Sequence, residues 1–207
     1  MNFERLVKIE ESSAKDIATV ADLSREAQML LREGEQGSAA FLARLVGGSL
    51  WTDAIRVFAF ALPRREGVWW ACLSARRMLT RAGAEMDRVP SLAAIEAAET
   101  WVRRPCEDTR RPVFALAEVA GFDTPAGYAA LAAFWTGNLS RPDLPEIAPD
   151  PSLAPVAIGA AVLLAAVDAE RGPDPALYRA ALAEALDIAR GGDGRAVAPP
   201  SEARAPS

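Results

Sequence analysis

The sequence predicts an all-α fold, and three observations carry this prediction. Alanine makes up about a fifth of the chain and stands among arginine, glutamate and leucine, which are all good helix formers. Apolar residues recur at intervals of three and four, which is the helical period. Alternating runs of Val, Ile, Thr and Tyr, which indicate strands, are scarce. We expect an irregular compact bundle of about eight or nine helices; stacked helical hairpins, as in repeat proteins, are the alternative.

Caps, glycine stops and prolines divide the chain into these helices. Four residues with side-chain acceptors are expected to cap helix starts: Ser13, Ser49, Ser91 and Thr124. Pro112 either kinks a helix or restarts one, and the glycines at 191–192 end the last one. The predicted helices span residues 13–32, 38–46, 50–62, 63–78, 92–104, 112–120, 124–135, 153–168 and 175–190.

The most distinctive stretch is Leu62–Met78, which holds two adjacent tryptophans, a cysteine and four arginines. Its apolar stripe at helical spacing consists of Val68, Cys72, Ala75 and Leu79. Trp69 widens that stripe, whereas Trp70 lies about 100° further round the helix. We therefore expect one tryptophan in the core and the other at its edge, and we expect Cys72 to be a buried thiol.

Two interpretations of this stretch stay open. In the first, the tryptophan pair packs on two neighbouring helices and the arginines cover the rings. In the second, Trp70, Arg76 and Arg77 form an exposed face for a protein partner, because Trp and Arg are enriched in binding hot spots. Trp135, which ends a later helix where a proline-rich segment begins, completes this candidate interaction face.

Composition excludes several chemistries. The chain has no histidine, which excludes His-based acid–base catalysis, Ser–His and Cys–His nucleophiles and His-containing metal sites. Two cysteines make neither a zinc site nor a disulfide scaffold. We therefore expect no metal and no cofactor. A disulfide bond between Cys72 and Cys106 stays open. The net charge of −5 gives no cationic field that would attract nucleic acid or an anionic membrane.

The N-terminus and the most apolar run of the chain predict a cytoplasmic protein. Its N-terminus has acids where a signal peptide would have its apolar core. The most apolar run, Leu153–Val167, is too short and too rich in Ala and Gly to span a bilayer, and we interpret it as a buried core helix.

Glutamates and arginines form the remaining polar constellation. Glu99 precedes Arg103 by four residues, the favoured orientation for a helical ion pair, and Glu96 lies one turn earlier. Glu66 can pair with Arg65 or with an arginine on another helix. We expect structural ion pairs at these positions and no catalytic residue. The alternative is a histidine-free enzyme or binding protein for an anionic small molecule, in which these groups converge in a pocket.

The chain is expected to form one helical domain, residues 1–192. Four prolines in the segment 137–152 forbid a regular helix, yet Leu139, Leu144 and Ile147 are apolar. We interpret this segment as an extended strap that lies across the helices. Residues 193–207 have almost nothing to bury and are expected to be a disordered tail.

Four stretches resemble an uncharacterised family of bacterial all-helical proteins of about 200 residues. They are WWACLSARRM, AAETWVRRP, TPAGYAALAAFWTGN with its proline-rich continuation, and ALDIARGG. The resemblance extends over residues 62–192. The resemblance implies no known activity, cofactor or binding residue. It also implies an association with bacterial secretion systems, type VI in particular.

We expect from these observations a non-enzymatic protein-interaction module, an adaptor, accessory or chaperone-like factor with an unidentified protein partner. The absence of a catalytic constellation beside a concentration of Trp and Arg favours this function. A structural subunit of a homo-oligomer, packed through the helix Val156–Val167, is the further alternative.

Overall fold

A computed structural model describes residues 1, 3, 6–9, 14–32, 37–82, 88–140, 144–168 and 172–195. Within these ranges the chain forms ten helices of at least seven residues and one single turn of helix. They are α1 (Ala14–Val20), α2 (Arg25–Arg32), α3 (Ser38–Gly47), α4 (Trp51–Ala61), α5 (Arg64–Ala82), α6 (Arg88–Arg103), α7 (Glu107–Arg110), α8 (Val113–Ala120), α9 (Pro125–Phe134), α10 (Leu153–Ala165) and α11 (Pro175–Ala189). Two short strands, β1 (Val167–Asp168) and β2 (Gly172–Pro173), pair antiparallel. The predicted all-α bundle is confirmed.

The bundle is built around α5. This helix packs against α6, α9, α10 and α11, so most of its circumference is covered. Val68, Cys72 and Ala75 are buried as the stripe predicts. The prediction that one tryptophan lies in the core and the other at its edge is confirmed: Trp70 is completely buried, and Trp69 is half-buried at the surface. Trp70 is buried although it lies off the predicted stripe, because α5 has neighbours on several sides and buries more than one stripe.

Some predicted helix starts are correct. Thr124 caps α9, since its hydroxyl accepts the main-chain N–H of Gly127 at 3.0 Å. Pro112 restarts a helix, α8, rather than kinking one. Ser91 is not a cap, because α6 begins three residues earlier and buries Ser91 in its interior. Ser49 is not a cap either; α4 starts after Leu50 without a side-chain cap. Ser13 lies outside the described residues.

The predicted helix 13–32 is two helices, because a distant side chain interrupts it. Asp22, between α1 and α2, has a φ of 47°. Ser24 then caps α2 through the main-chain N–H of Ala27, at 3.1 Å. Asp53 of α4 accepts both the N–H of Ser24, at 2.7 Å, and its hydroxyl, at 2.9 Å. The break is therefore fixed by a contact between residues 29 positions apart.

The proline-rich segment is anchored differently from the prediction. The Oδ1 of Asn138 accepts the N–H of Ser140 at 3.0 Å and that of Ile147 at 2.8 Å, and the N–H of Leu139 donates to the oxygen of Ile147 at 2.9 Å. These bonds close the segment into a loop. Leu144 and Ile147, the expected apolar anchors, are exposed.

The C-terminal boundary also needs correction. The indole Nε1 of Trp69 donates to the main-chain oxygen of Asp193 at 2.7 Å, and the guanidinium of Arg195 lies 4.7 Å from the Trp69 ring centroid. Gly194 is held by its N–H bond to Asp187 Oδ2 at 2.8 Å. Residues 193–195 are therefore docked on the domain rather than part of a disordered tail. The rest of the predicted tail, 196–207, lies outside the described residues.

Candidate interaction face

The predicted interaction face around Trp70 does not exist at the surface. Trp70 is completely buried, its indole Nε1 donates to the main-chain oxygen of Ala181 at 2.9 Å, and its ring meets that of Phe58 edge-on at 6.1 Å between centroids. A partner cannot reach this side chain in the folded protein. The prediction that Trp70 is an exposed anchor was therefore wrong, and the alternative of core packing is correct.

Arg77 also points inward, where it pairs with Glu184 of α11. Both side chains are only 11% exposed. One guanidinium nitrogen of Arg77 donates to Glu184 Oε1, and another lies 3.4 Å from the Ser74 hydroxyl. Burial raises the pKa of Glu184, whereas the Arg77 charge opposes that rise. Arg77 therefore joins α5 to α11 and is not part of an exposed face.

Arg76 belongs to an ion-pair cluster between α5 and α6. It donates to both carboxylate oxygens of buried Glu99, with a distance of 2.9 Å from Nη2 to Oε2. Arg103 approaches the same carboxylate at 3.7 Å, so the predicted Glu99–Arg103 pair is confirmed. Glu96 is exposed. Glu66 pairs with Lys8 at 3.0 Å. Glu66 and Glu99 of the anionic-ligand alternative thus hold different partners on different helices, and they do not converge.

Trp135 is half-buried at the residue that follows α9. Next to it, the ring of Phe134 lies 5.1 Å from the guanidinium carbon of Arg110. Arg110 is buried, and it donates to the main-chain oxygens of Phe134 and Asn138 and to both oxygens of Glu107, the latter at 2.8 Å each. Arg110 thus fixes the end of α9 and the start of the loop that follows.

An exposed aromatic patch adjoins this end of α9. We define it as Phe114 and Phe122; these side chains are 40% and 44% exposed. The Phe114 ring lies 4.9 Å from that of Phe134 and 5.9 Å from that of Phe122, between centroids. Contiguous exposed apolar surface of this kind marks interaction sites more often than isolated exposed residues do. The aromatic patch, not Trp70, is the candidate interaction face.

Close backbone packing holds the aromatic patch in place. Gly121 ends α8 with a φ of 90°, which favours glycine, and the next residue is Phe122. Gly127 in α9 lies so near that a β-carbon there would overlap the main-chain oxygen of Gly121. The Thr124 hydroxyl also donates to that oxygen, at 2.9 Å. The corner that presents Phe122 is therefore rigid.

The sequence contained a signal for this patch that the residue patterns did not single out. In α8, VFALAEVA, apolar residues occupy every position except Glu118, although such a short helix can bury only part of its surface. Phe114 lies on this helix, and Phe122 follows Gly121 directly after its end. Aromatics on an all-apolar short helix beside a Gly-Phe corner would have indicated exposed apolar surface.

A second apolar surface lies between α1, α4 and α10. It is a groove with a volume of about 220 Å³ whose lining includes Val20, Asp22, Arg56, Phe60, Val156 and Leu163. Its residues are separate in sequence from those of the aromatic patch. Among the described residues that line it, Asp22 and Arg56 are the charged ones.

The cysteines are free thiols in different surroundings. Burial raises the pKa of the Cys72 thiol well above its ordinary value, and the nearby Glu99 carboxylate adds to the rise. A hydrogen bond with Thr109 lowers the pKa of the Cys106 thiol. The prediction that Cys72 is a buried thiol is confirmed. Within the described ranges, no three or more His, Cys, Asp or Glu side chains come together as metal ligands, and no helix is long and apolar enough to cross a membrane.

The fold and these surfaces define an all-helical protein with a fully packed centre and exposed apolar faces. The chain belongs to a family of unknown function, DUF6931, whose model matches residues 41–189. The expected membership of an uncharacterised family is thus confirmed. No curated protein and no solved structure matches the chain. The matched residues include the aromatic patch and α10, whereas Val20 and Asp22 of the groove precede them.

Proposed function

We propose that this protein is a non-enzymatic interaction module of the cytoplasm, an adaptor, accessory or chaperone-like factor that binds a partner protein through the aromatic patch. The single observation that carries the proposal is the exposure of Phe114 and Phe122 side by side on one face. The link to a bacterial secretion system that the sequence resemblance implies is part of this proposal.

The energetics favour a partner over solvent at this face. Full burial of a Phe side chain contributes roughly 1.5–3 kcal/mol relative to exposure. Phe114 and Phe122, which are 40% and 44% exposed, forgo a little under half of that gain. Aromatic side chains are enriched where protein interfaces have their buried centres. A partner that covers the aromatic patch would therefore recover free energy that folding alone leaves unused.

The construction of the patch favours tight recognition. The Gly121–Gly127 contact fixes the corner before Phe122, and Phe114 packs on Phe134, which Arg110 holds from beneath. A surface that is already ordered loses little conformational entropy on binding. The patch thus has the rigidity that an anchor surface requires, which a mobile loop would lack.

Photo-crosslinking in the native host tests the proposal. A photoreactive phenylalanine derivative at position 122 should capture a defined partner, and the same derivative at position 89 is the control. Val89 is an exposed apolar residue of α6 outside the patch. The partner is then purified, and its affinity is measured for wild type, Phe122→Asp and Val89→Asp.

We expect Phe122→Asp to weaken binding by about tenfold or more, because it puts a charge into the aromatic patch that the partner would bury. Val89→Asp should bind as wild type does. Circular dichroism and the midpoint of thermal unfolding verify that both variants stay folded. Equal capture from positions 122 and 89, or equal affinity of the two variants, would show that the aromatic patch is not the binding face.

A further inference from the structure

Helix α10 is apolar around its whole circumference, yet one side of it is open. Its sequence LAPVAIGAAVLLA contains no charged or hydrogen-bonding side chain. Ala157, Ile158, Ala161 and Val162 are buried against α4, α5 and α9. On the other side Val156 is 53% exposed, and Leu164 is also exposed. A helix without a polar face is normally buried on all sides, so the outer side of α10 lacks a cover.

The groove beside this outer side has the shape that self-association needs. Val156, Gly159, Ala160 and Leu163, which all line it, stand at intervals of three and four and form one stripe along α10. Val20 and Val156, which line the groove, are each more than half exposed, whereas Gly159 and Ala160 contribute little or no side chain to it. One face therefore carries both projections and a hollow, which is what an isologous interface requires of a single surface.

The charges of the groove are also self-complementary. Asp22 has a side chain that is 99% exposed, and Arg56 approaches its Oδ2 at 3.8 Å while donating to its main-chain oxygen. The left-handed conformation of Asp22, with a φ of 47°, is uncommon for a residue other than glycine. One acid and one base on the same face match the base and the acid of a second copy turned by a two-fold axis. A strongly basic or acidic partner would leave one of them opposed by like charge.

We propose that a second copy of this chain covers the outer side of α10, and that the two α10 helices cross antiparallel about a two-fold axis near Ala160. In this arrangement Val156 of each copy packs against Leu164 of the other, because these positions lie four residues on either side of Ala160. The small side chain of Ala160 permits the close approach. This interface is independent of the aromatic patch, so the two proposals stand or fall separately.

Solution mass is the first test, performed on the full chain. Sedimentation equilibrium over a concentration series should give twice the chain mass of 22.0 kDa at the upper end. Val156→Asp should stay at the mass of one chain, with an unchanged circular dichroism spectrum, because it would bury an unpaired charge in the interface. Val89→Asp, equally a charge in place of an exposed valine, should associate as wild type does.

Cysteine crosslinking is the second test, and it locates the axis. In a Cys106→Ser background, Ala160→Cys should form a disulfide with its own copy on mild oxidation, since a disulfide requires Cα atoms within roughly 4.4–6.8 Å. Val89→Cys is the control position. A wild-type chain that stays monomeric up to about 100 µM overturns the proposal. So does a dimer that neither responds to Val156→Asp nor crosslinks through residue 160 above the control.

Discussion

The indole Nε1 of Trp70 donates to the main-chain oxygen of Ala181 at 2.9 Å, which joins α5 to α11 across the centre of the bundle. The ring is completely buried, so this polar atom would lose a hydrogen bond to water on folding without that acceptor. The adjacent Trp69 makes the corresponding bond to Asp193 at the surface. Trp70 thus stabilises the core, whereas the adjacent Trp69 holds the C-terminal segment.

We predict different costs for removing the two tryptophans. Trp70→Ala should lower the free energy of unfolding by about 3–5 kcal/mol, because it leaves a large cavity in the core. Trp69→Ala should cost clearly less, since its ring is half-buried, and should release residues 193–195. Urea unfolding monitored by circular dichroism measures both changes. A Trp70→Ala protein as stable as Trp69→Ala would show that Trp70 is not a core residue.

The Arg77–Glu184 pair should behave as a buried ion pair in a mutant cycle. Glu184→Leu alone should cost about 3–5 kcal/mol, because it leaves the Arg77 guanidinium buried without its partner. The double variant Arg77→Met, Glu184→Leu should be close to neutral or more stable than wild type by about 1–4 kcal/mol. Denaturant titration of all four proteins tests the cycle. Additive single and double effects would mean that the two side chains do not interact.

The contributions of Glu184 and Glu107 to the free energy of unfolding should depend on pH with opposite signs. Burial raises the folded-state pKa of Glu184 above its ordinary value of 4.5. Its contribution to stability is therefore fully present below pH 4.5, and it is lost as pH rises through the folded-state pKa. The pKa of Glu107 is lowered by its hydrogen bond with Arg110, so its contribution is present above 4.5 and is lost as pH falls.

Substitution by glutamine separates these two contributions. Relative to Glu184→Gln, wild type should lose stability as pH rises above 4.5. Relative to Glu107→Gln, wild type should lose stability as pH falls below 4.5. Unfolding free energies between pH 3 and pH 8 give both differences. The same sign for both residues would contradict the burial of Glu184.

Arg110 should be irreplaceable by lysine. Its fork donates to Glu107 and to the oxygens of Phe134 and Asn138, and a lysine ammonium cannot match that planar arrangement. Arg110→Lys should cost about 2–4 kcal/mol and speed amide exchange at Ser140 and Ile147, as measured by hydrogen exchange.

Arg111→Lys is the matched control for this prediction. Arg111 is more exposed and bonds Glu107 at 2.9 Å, so its replacement should change stability by no more than about 0.5 kcal/mol. If Arg110→Lys and Arg111→Lys have the same amide exchange rates and the same stability, Arg110 does not hold the loop that follows α9.

Gly127 should not tolerate a methyl group, unlike Gly47. A β-carbon at residue 127 would overlap the oxygen of Gly121, whereas a β-carbon at residue 47 meets nothing within 4 Å. Gly127→Ala should therefore cost about 1–3 kcal/mol, and Gly47→Ala should be neutral or slightly stabilising. Thermal unfolding compares the two. A tolerated Gly127→Ala would mean that the corner before Phe122 is not rigid.

The sequence predictions were correct where the interaction joins residues a few positions apart, and they were incomplete or wrong where it joins distant segments. Thr124 and Pro125 begin α9 through a bond to Gly127 three residues away, and the sequence indicated this start. The break between α1 and α2 depends on Asp53, and no pattern in residues 13–32 reveals it. The Glu99–Arg103 pair was predicted from helical spacing, but its stronger partner, Arg76, comes from another helix.

The candidate site was the least predictable part. Composition drew attention to Trp and Arg, but a helical period gives only the relative directions of side chains on one helix. It does not say how many neighbours that helix has. With α6, α9, α10 and α11 around α5, Trp70 and Arg77 became interior groups. Phe114 and Phe122 stayed outside because α8 packs through only one side.

The sequence by itself determined the all-helical class, most helix ends and the burial of Cys72, because helix formation depends on propensity, capping and periodicity within a few residues. The tertiary structure alone decided which tryptophan is buried, that Arg77 meets Glu184, and that Phe114, Phe122 and the outer side of α10 are left uncovered. These features depend on which helix faces meet across the bundle, and contacts between distant segments are not encoded in any local pattern.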